Sequence, residues 1–326
     1  ERMAQSPGYR VRSSLRDQAL AESALSKEQR AAVERVTRPG YVALLIGAAG
    51  TGKSTTLSVA REVFEADGYR VKGAALAGIA AENLQTASGI PSRTIASYLN
   101  SWKQGRDRLT SRDVLIVDEA GMVGTRQLAS VLEAAEVRHA KVILVGDSEQ
   151  VQPIEAGAPF RALQSLLGSA ELREIRRQRE AWQRDASTKF FEQDTREALI
   201  AYEKRGLVVE HATRDEAKQG LIKAWKRQVE SDPSAFRIMV AHTNADAQQL
   251  NAEARAWLVE KGHVHGDSAT VQTPSGKREF AINDLVRFGR NDNRMDVKNG
   301  TLGTVVAAGE DKLIVEVRKG DTRETV

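Results

Sequence analysis

The stretch GAAGTGKST at residues 47–55 constrains this chain more than any other. It follows the apolar run YVALLI (41–46) and opens STTLSVAREVFEADG, where apolar residues recur at helical spacing. The pattern G-x-x-x-x-G-K-[ST] needs that strand before it and that helix after it. Backbone N–H groups of Gly50, Thr51 and Gly52 can wrap an anion only where little side chain intervenes. A helix starting near Lys53 aims the positive end of its dipole at the same point. The anion such a turn suits is the phosphate tail of a nucleotide. Gly47, Gly50, Thr51, Gly52, Lys53, Ser54 and Thr55 are the expected cradle. Lys53 is expected to reach the β- and γ-phosphates, and Ser54 to ligate Mg²⁺.

A second motif fits the first. In VLIVDEAG (114–121) an apolar strand ends at Asp118 and Glu119. An acidic pair at a strand end is common on surfaces, but after a phosphate loop it acquires a role. Asp118 is expected to hold Mg²⁺ through water, and Glu119 to activate the water that attacks the phosphate. That glutamate favours hydrolysis over transfer to a metabolite. The guanine-reading pattern N-K-x-D is absent, which argues against a GTPase.

Apolar, β-branched runs at 41–46, 69–76, 113–118 and 141–146 alternate with helical patterns. That alternation predicts an α/β fold, a parallel sheet covered on both faces. ALSKEQRAAVERV reads as a capped helix, with Ser26 and Gln29 forming a capping box. Residues 1–24 are polar and read as a linker or a loosely packed helix, and 25–172 as the nucleotide-binding domain. Residues 173–267 read as a charged helical connector followed by a second α/β pattern, with strands at 207–211 and 236–242. From 268 to 326, short strands with Gly and Asn turns predict a β-rich module.

Composition narrows the classes. The 326 residues carry 48 basic and 44 acidic side chains, a net charge of +4 that permits a nucleic-acid partner without demanding one. No cysteine is present, which excludes disulfide and cysteine–zinc frameworks and fits a cytoplasmic protein. No apolar run approaches the ~20 residues of a membrane span, and the first residues lack the apolar core of a signal peptide. The histidines at 139, 211, 242, 263 and 265 form no convincing metal triad.

A third element, KVILVGDSEQVQPIEAG, puts Gly146-Asp147 at a strand end and Gln150 just beyond, where it can report loss of a γ-phosphate. LSKEQRAAV, GAAGTGKST, SRTIASYL, LIVDEAGMV, GDSEQVQPI and LREIRRQ occur in the order seen in RecD-like superfamily-1 DNA helicases. The stretch from SRTIASYL to LIVDEAGMV resembles more closely the helicase part of TraA-type (MobA/MobL) conjugative relaxases. The resemblance covers roughly residues 25–326.

The resemblance implies a RecA-like P-loop NTPase sheet, a second partial RecA-like domain and an SH3-like β-rich insertion. It implies ATP as fuel with Gln29 recognising adenine, Arg177 as an arginine finger with Arg176 adjacent, and Gln150 as the γ-phosphate sensor. It implies single-stranded DNA as the track, with Thr94, Ser97, Thr243 and Asn244 as candidate contacts and movement 5′→3′. Trp102, among Lys103, Arg106 and Arg108, is a candidate base-stacking residue. Other transfer or repair proteins are expected partners. The family's H-x-x-Q-G element is not found and the chain begins with Glu1, so it is expected to be part of a longer protein, with a nicking domain upstream if it is a relaxase. Alternatives are a RecD-like repair helicase, or a module that binds single-stranded DNA or a partner without unwinding.

Overall fold

The computed structural model describes residues 3, 9–147, 158–273, 276–292, 294–309, 312–319 and 322–326. The chain divides into two units, Glu1–Arg205 and Gly206–Val326. The first opens with helices α1 (Ser13–Glu22) and α2 (Lys27–Val36), then β1 (Val42–Gly47), α3 (Lys53–Ala66), β2 (Arg70–Ala75) and α4 (Gly78–Ser88). There follow β3 (Ser92–Thr94), α5 (Ile95–Lys103), β4 (Asp113–Val117), α6 (Thr125–Val137), β5 (Lys141–Gly146), α7 (Pro159–Leu167) and β6 (Ala170–Leu172).

These strands make one six-stranded sheet in the order β3-β2-β4-β5-β1-β6. Every pairing in it is parallel, with Leu45 opposite Val145 and Leu115 opposite Val142. A parallel sheet buries both faces, so its strands read as unbroken apolar runs. Successive side chains point to opposite faces. Leu45, Ile116 and Ile143 accordingly pack with Val33, Val63 and Phe64 on one side. Leu44, Leu115 and Leu144 pack with Leu128, Val131 and Phe160 on the other. The C-terminal ends of neighbouring β4, β5 and β1 place Asp118, Asp147 and the 47–55 turn along one edge, where open α/β sheets bind ligands. The edge strands β3 and β6 are three residues each, too short to show a period in sequence.

Of the two readings of the first 24 residues, the described ones among them show the packed helix. α1 packs on α3 and contributes Leu20 to the core. Tyr9 is 2% exposed, stacked on Tyr69 at 4.5 Å and edge-on to Tyr41 at 5.8 Å. Its hydroxyl donates to Asp113 O at 2.8 Å. Beside it Lys141 is also buried, donating to Arg38 O (2.9 Å) and Gly40 O (2.7 Å). A lone aromatic in a polar stretch gave no sequence signal for this plug.

The connector helices α8 (Ala181–Phe191) and α9 (Thr195–Glu203) belong to the first of the two units. The second unit begins with α10 (Arg214–Ser231) and α11 (Asn244–Glu260). It continues with β7 (His265–Thr273), β8 (Gly276–Ile282), β9 (Leu285–Arg287), β10 (Leu302–Ala308), β11 (Leu313–Lys319) and β12 (Thr322–Thr325). β7 and β8 form an antiparallel pair, and β12-β11-β10-β9 an antiparallel sheet around Val297, Val305, Val315 and Val317. The β-rich module expected from 268 is therefore present, starting slightly earlier.

The strands expected at 207–211 and 236–242 are not formed. Met239 and Ala241 pack on Ile222, Leu250 and Ala254, while Phe236, Ile238 and Val240 are 66%, 74% and 80% exposed. The apolar pattern of these runs suggests strands. A strand also needs a hydrogen-bonded neighbour, and neither run has one among the described residues. No helix among the described residues is long and apolar enough to cross a membrane.

Candidate nucleotide-binding site

The turn after β1 folds as its glycines require. Gly50 and Gly52 have φ of 88° and 85°, the left-handed region that side chains avoid. A Cβ on Gly50 would lie 2.7 Å from the Cβ of Arg177, so the close approach of that loop depends on the missing side chain. Thr51 Oγ1 donates to Ala48 O at 2.9 Å and closes the turn. Lys53 and Ser54 begin α3, whose N-terminal N–H groups face the turn.

Gly50, Lys53, Ser54, Thr55, Asp118, Glu119, Asp147, Arg176 and Arg177 line a single cavity of about 490 Å³. Lys53 Nζ donates to the carbonyls of its own loop, Gly47 O and Ala48 O, the latter at 3.1 Å. Burial pulls its ammonium below the ordinary lysine value, opposed by the carboxylates of Asp118 and Asp147.

Glu119 has φ 52° and ψ 35°, a left-handed conformation rare for a residue with a side chain. Such a residue costs roughly 1–2 kcal/mol, and strain of this kind gathers at functional sites. Its backbone N–H donates to Asp118 Oδ1 at 2.9 Å. Burial raises the Asp118 pKa, with that N–H and Lys53 pulling it back. Burial also raises the Glu119 pKa, and the Asp118 charge adds to it. A carboxylate raised in this way is a stronger base.

Gln29 is 3% exposed and serves two structures at once. It completes the capping box, its N–H donating to Ser26 Oγ (3.3 Å) and its Oε1 accepting from Ser26 N (3.1 Å). Its Nε2 donates to Gly52 O at 3.4 Å. The cap read from sequence is present, and the side chain also reaches the phosphate loop. Arg176 N and Arg177 N both donate to Gly50 O, at 2.8 and 3.1 Å. The Arg176 guanidinium is paired with Glu174 at 2.9 Å, which leaves Arg177 the better placed of the two for a phosphate. Gln150 lies outside the described residues. Asp147, 8% exposed and at the cavity wall, was not singled out from sequence, although its place at a strand end after the acidic strand was signal enough.

The candidate DNA contacts are otherwise employed. Thr94 caps α5 by accepting from Ser97 N at 3.2 Å. Ser97 Oγ accepts from Arg93 Nε at 3.2 Å, and the same guanidinium reaches Ser101 and Asp107. Trp102 is a correction: it is 9% exposed, 5.6 Å from the Tyr98 ring, with its indole N–H donating to Asp107 O at 3.0 Å. It packs in the core and presents no face for a base. In the second unit Thr243 caps α11, accepting from Asp246 N at 3.2 Å, and Asn244 is the first residue of that helix.

Ser54 and Asp118 suit Mg²⁺, because both offer hard oxygen donors to the cavity that would hold phosphates. No cluster of three or more His, Cys, Asp or Glu residues able to hold a metal occurs among the described residues.

A RecA-like parallel sheet with an anion cradle, a lysine, an acidic pair and an arginine at its C-terminal edge defines a P-loop nucleotide-binding domain. The chain belongs to the AAA_30 family of AAA domains, whose model matches residues 24–213. It is 42% identical over 302 residues to the conjugal transfer protein TraA of Rhizobium radiobacter, a match covering 93% of this chain and 27% of TraA. It is 35% identical over 315 residues to the ATP-dependent RecD2 DNA helicase of Deinococcus radiodurans, covering 91% of this chain and 40% of that protein. Bacteroides Pif1 bound to single-stranded DNA aligns with a TM-score of 0.58 at 18% identity, over 94% of this chain and 74% of Pif1, a likeness of fold. The chain thus spans little more than a quarter of the TraA relative.

Proposed function

We propose that this chain is the motor part of an ATP-dependent DNA helicase that moves on single-stranded DNA during conjugative transfer. The observation that carries the reading is the convergence of Lys53, Ser54, Asp118, Glu119 and Arg177 on one cavity. The similarity to TraA supports the conjugative setting, and that to RecD2 the helicase activity.

In this reading the Gly50–Gly52 amides and Lys53 hold the triphosphate of ATP. Ser54 and Asp118 would hold Mg²⁺, which neutralises charge on the β- and γ-phosphates. Glu119 accepts the proton of the attacking water, and Arg177 stabilises the charge that builds on the transferred phosphoryl group. Gln29 reads the adenine edge, and Gln150 reports the γ-phosphate to neighbouring structure. Movement is 5′→3′, by similarity to RecD-like enzymes. With Trp102 buried, exposed Lys103, Arg106 and Arg108 are the remaining candidates of that cluster for the DNA backbone. A motor of this kind works in the cytoplasm, and the cysteine-free composition fits that compartment.

The test is ATP hydrolysis by the full-length protein with and without single-stranded DNA. DNA should stimulate turnover, and Lys53→Ala should abolish it. Hydrolysis indifferent to DNA, with no measurable DNA affinity, would sink the helicase reading. The 35% identity to RecD2 keeps a repair helicase as the second reading. Transfer of a mobilisable plasmid separates the two, because Lys53→Ala blocks transfer only under the first.

A further inference from the structure

Glu28 precedes Gln29 on α2, and nothing in the nucleotide chemistry above uses it. Its carboxylate accepts two backbone N–H groups from a segment 145 residues away. Arg173 N donates to Oε1 at 2.8 Å, and Glu174 N to Oε2 at 3.0 Å. Each oxygen serves one donor. The segment they hold has no helix or strand over 173–177, so its place is set by what it bonds. Ile175, in its middle, is anchored in the interior at 4% exposure. Just beyond, Arg176 N and Arg177 N close on Gly50 O of the phosphate turn.

Helix α2 therefore grips the nucleotide site twice. Gln29 holds Gly52 directly. Glu28 holds the strap whose far end lies against Gly50 and carries Arg177. We propose that Glu28 is a positioning residue for ATP turnover, fixing the 173–177 strap so that Arg177 stays aimed into the cavity. The proposal rests on the reading of Arg177 as the residue that acts on the phosphoryl group. Glu28 itself touches no nucleotide.

The competing role is local. Glu28 lies in the first turn of α2, where a negative charge favours the helix dipole. That role would move thermal stability and leave chemistry alone. The two-donor contact makes a sharper demand. Hydrogen bonds to a charged acceptor are the stronger kind, and both oxygens are needed. Glutamine offers one oxygen and turns its NH₂ toward an N–H, donor against donor.

The experiment uses the full-length protein at saturating single-stranded DNA. Steady-state kcat and KM for ATP, single-turnover hydrolysis, affinity for a fluorescent ATP analogue and the thermal midpoint are measured for Glu28→Gln, Glu28→Ala, Arg177→Ala and the double variant Glu28→Ala/Arg177→Ala. Glu28→Gln and Glu28→Ala should each lower kcat about 10-fold while nucleotide affinity changes less than about 3-fold, the pattern of a contact felt mainly in the transition state. The double variant should hydrolyse ATP at the rate of Arg177→Ala alone, because both act through one guanidinium. An inactive Arg177→Ala beside a fully active Glu28→Ala would overturn the positioning role alone. So would losses that multiply in the double variant, or a lower thermal midpoint with unchanged kcat. A fully active Arg177→Ala would overturn the arginine reading, and this proposal with it.

Discussion

Gln29 Nε2 donates to Gly52 O at 3.4 Å, so the side chain that closes a helix cap also braces the phosphate turn. Removing it undoes both. Gln29→Ala should cost about 1 kcal/mol of stability, the usual size of a lost capping interaction. It should also weaken ATP affinity, since Gly52 loses its brace. Urea denaturation gives the first number and nucleotide titration the second. A variant as stable as wild type with unaltered ATP affinity would show that the brace is ornamental.

Acid should silence the enzyme early. Glu119 must be ionised to take a proton from water, and burial with the neighbouring Asp118 charge raises its pKa above the usual glutamate value. As pH falls, the base is protonated sooner than a free glutamate would be. The acid limb of kcat should therefore sit higher than an ordinary glutamate would place it, and Glu119→Gln should remove the activity. A pH–rate profile at saturating ATP and DNA reports it.

Stability should run the other way around Lys141. Burial moves its pKa down to about 7. Between that value and the ordinary lysine range the unfolded chain holds a proton that the folded chain has released, so stability rises with pH by at most about 1.4 kcal/mol per unit. A neutral amine still donates two hydrogens, so the contacts to Arg38 O and Gly40 O survive. Tyr9 above it, raised by burial, stays protonated across that window. Denaturant midpoints from pH 7 to 9.5 should climb, and Lys141→Met should flatten the slope.

Trp102 should behave as core. Trp102→Ala should lower stability by roughly 3–5 kcal/mol, as for other buried aromatic truncations. Trp102→Phe, which loses the indole donor to Asp107 O and part of the buried ring, should leave single-stranded DNA affinity within error of wild type. A titration showing Trp102→Phe binding DNA several-fold more weakly would restore the stacking role.

How much was legible follows from how far apart the partners lie. The phosphate turn, the acidic strand end and the Ser26–Gln29 cap are local patterns, and each forms as read. The central strands were legible because a parallel sheet writes unbroken apolar runs. Tyr9 and Glu28 were not, because their partners lie 104 and 145 residues away and no spacing rule connects them. Trp102 misled because a tryptophan among arginines looks the same in sequence whether it faces a base or the core. The runs at 207–211 and 236–242 have strand chemistry, but pairing is a property of neighbours and not of the run.

The second of those runs has a practical consequence at the bench. Phe236, Ile238 and Val240 alternate with less exposed residues along a segment that pairs with no strand among the described residues, a stripe of exposed apolar side chains. Purified as this stretch alone, the polypeptide should cling to itself and to column resins as its concentration rises. Ile238→Lys should reduce that self-association, read by light scattering as concentration rises.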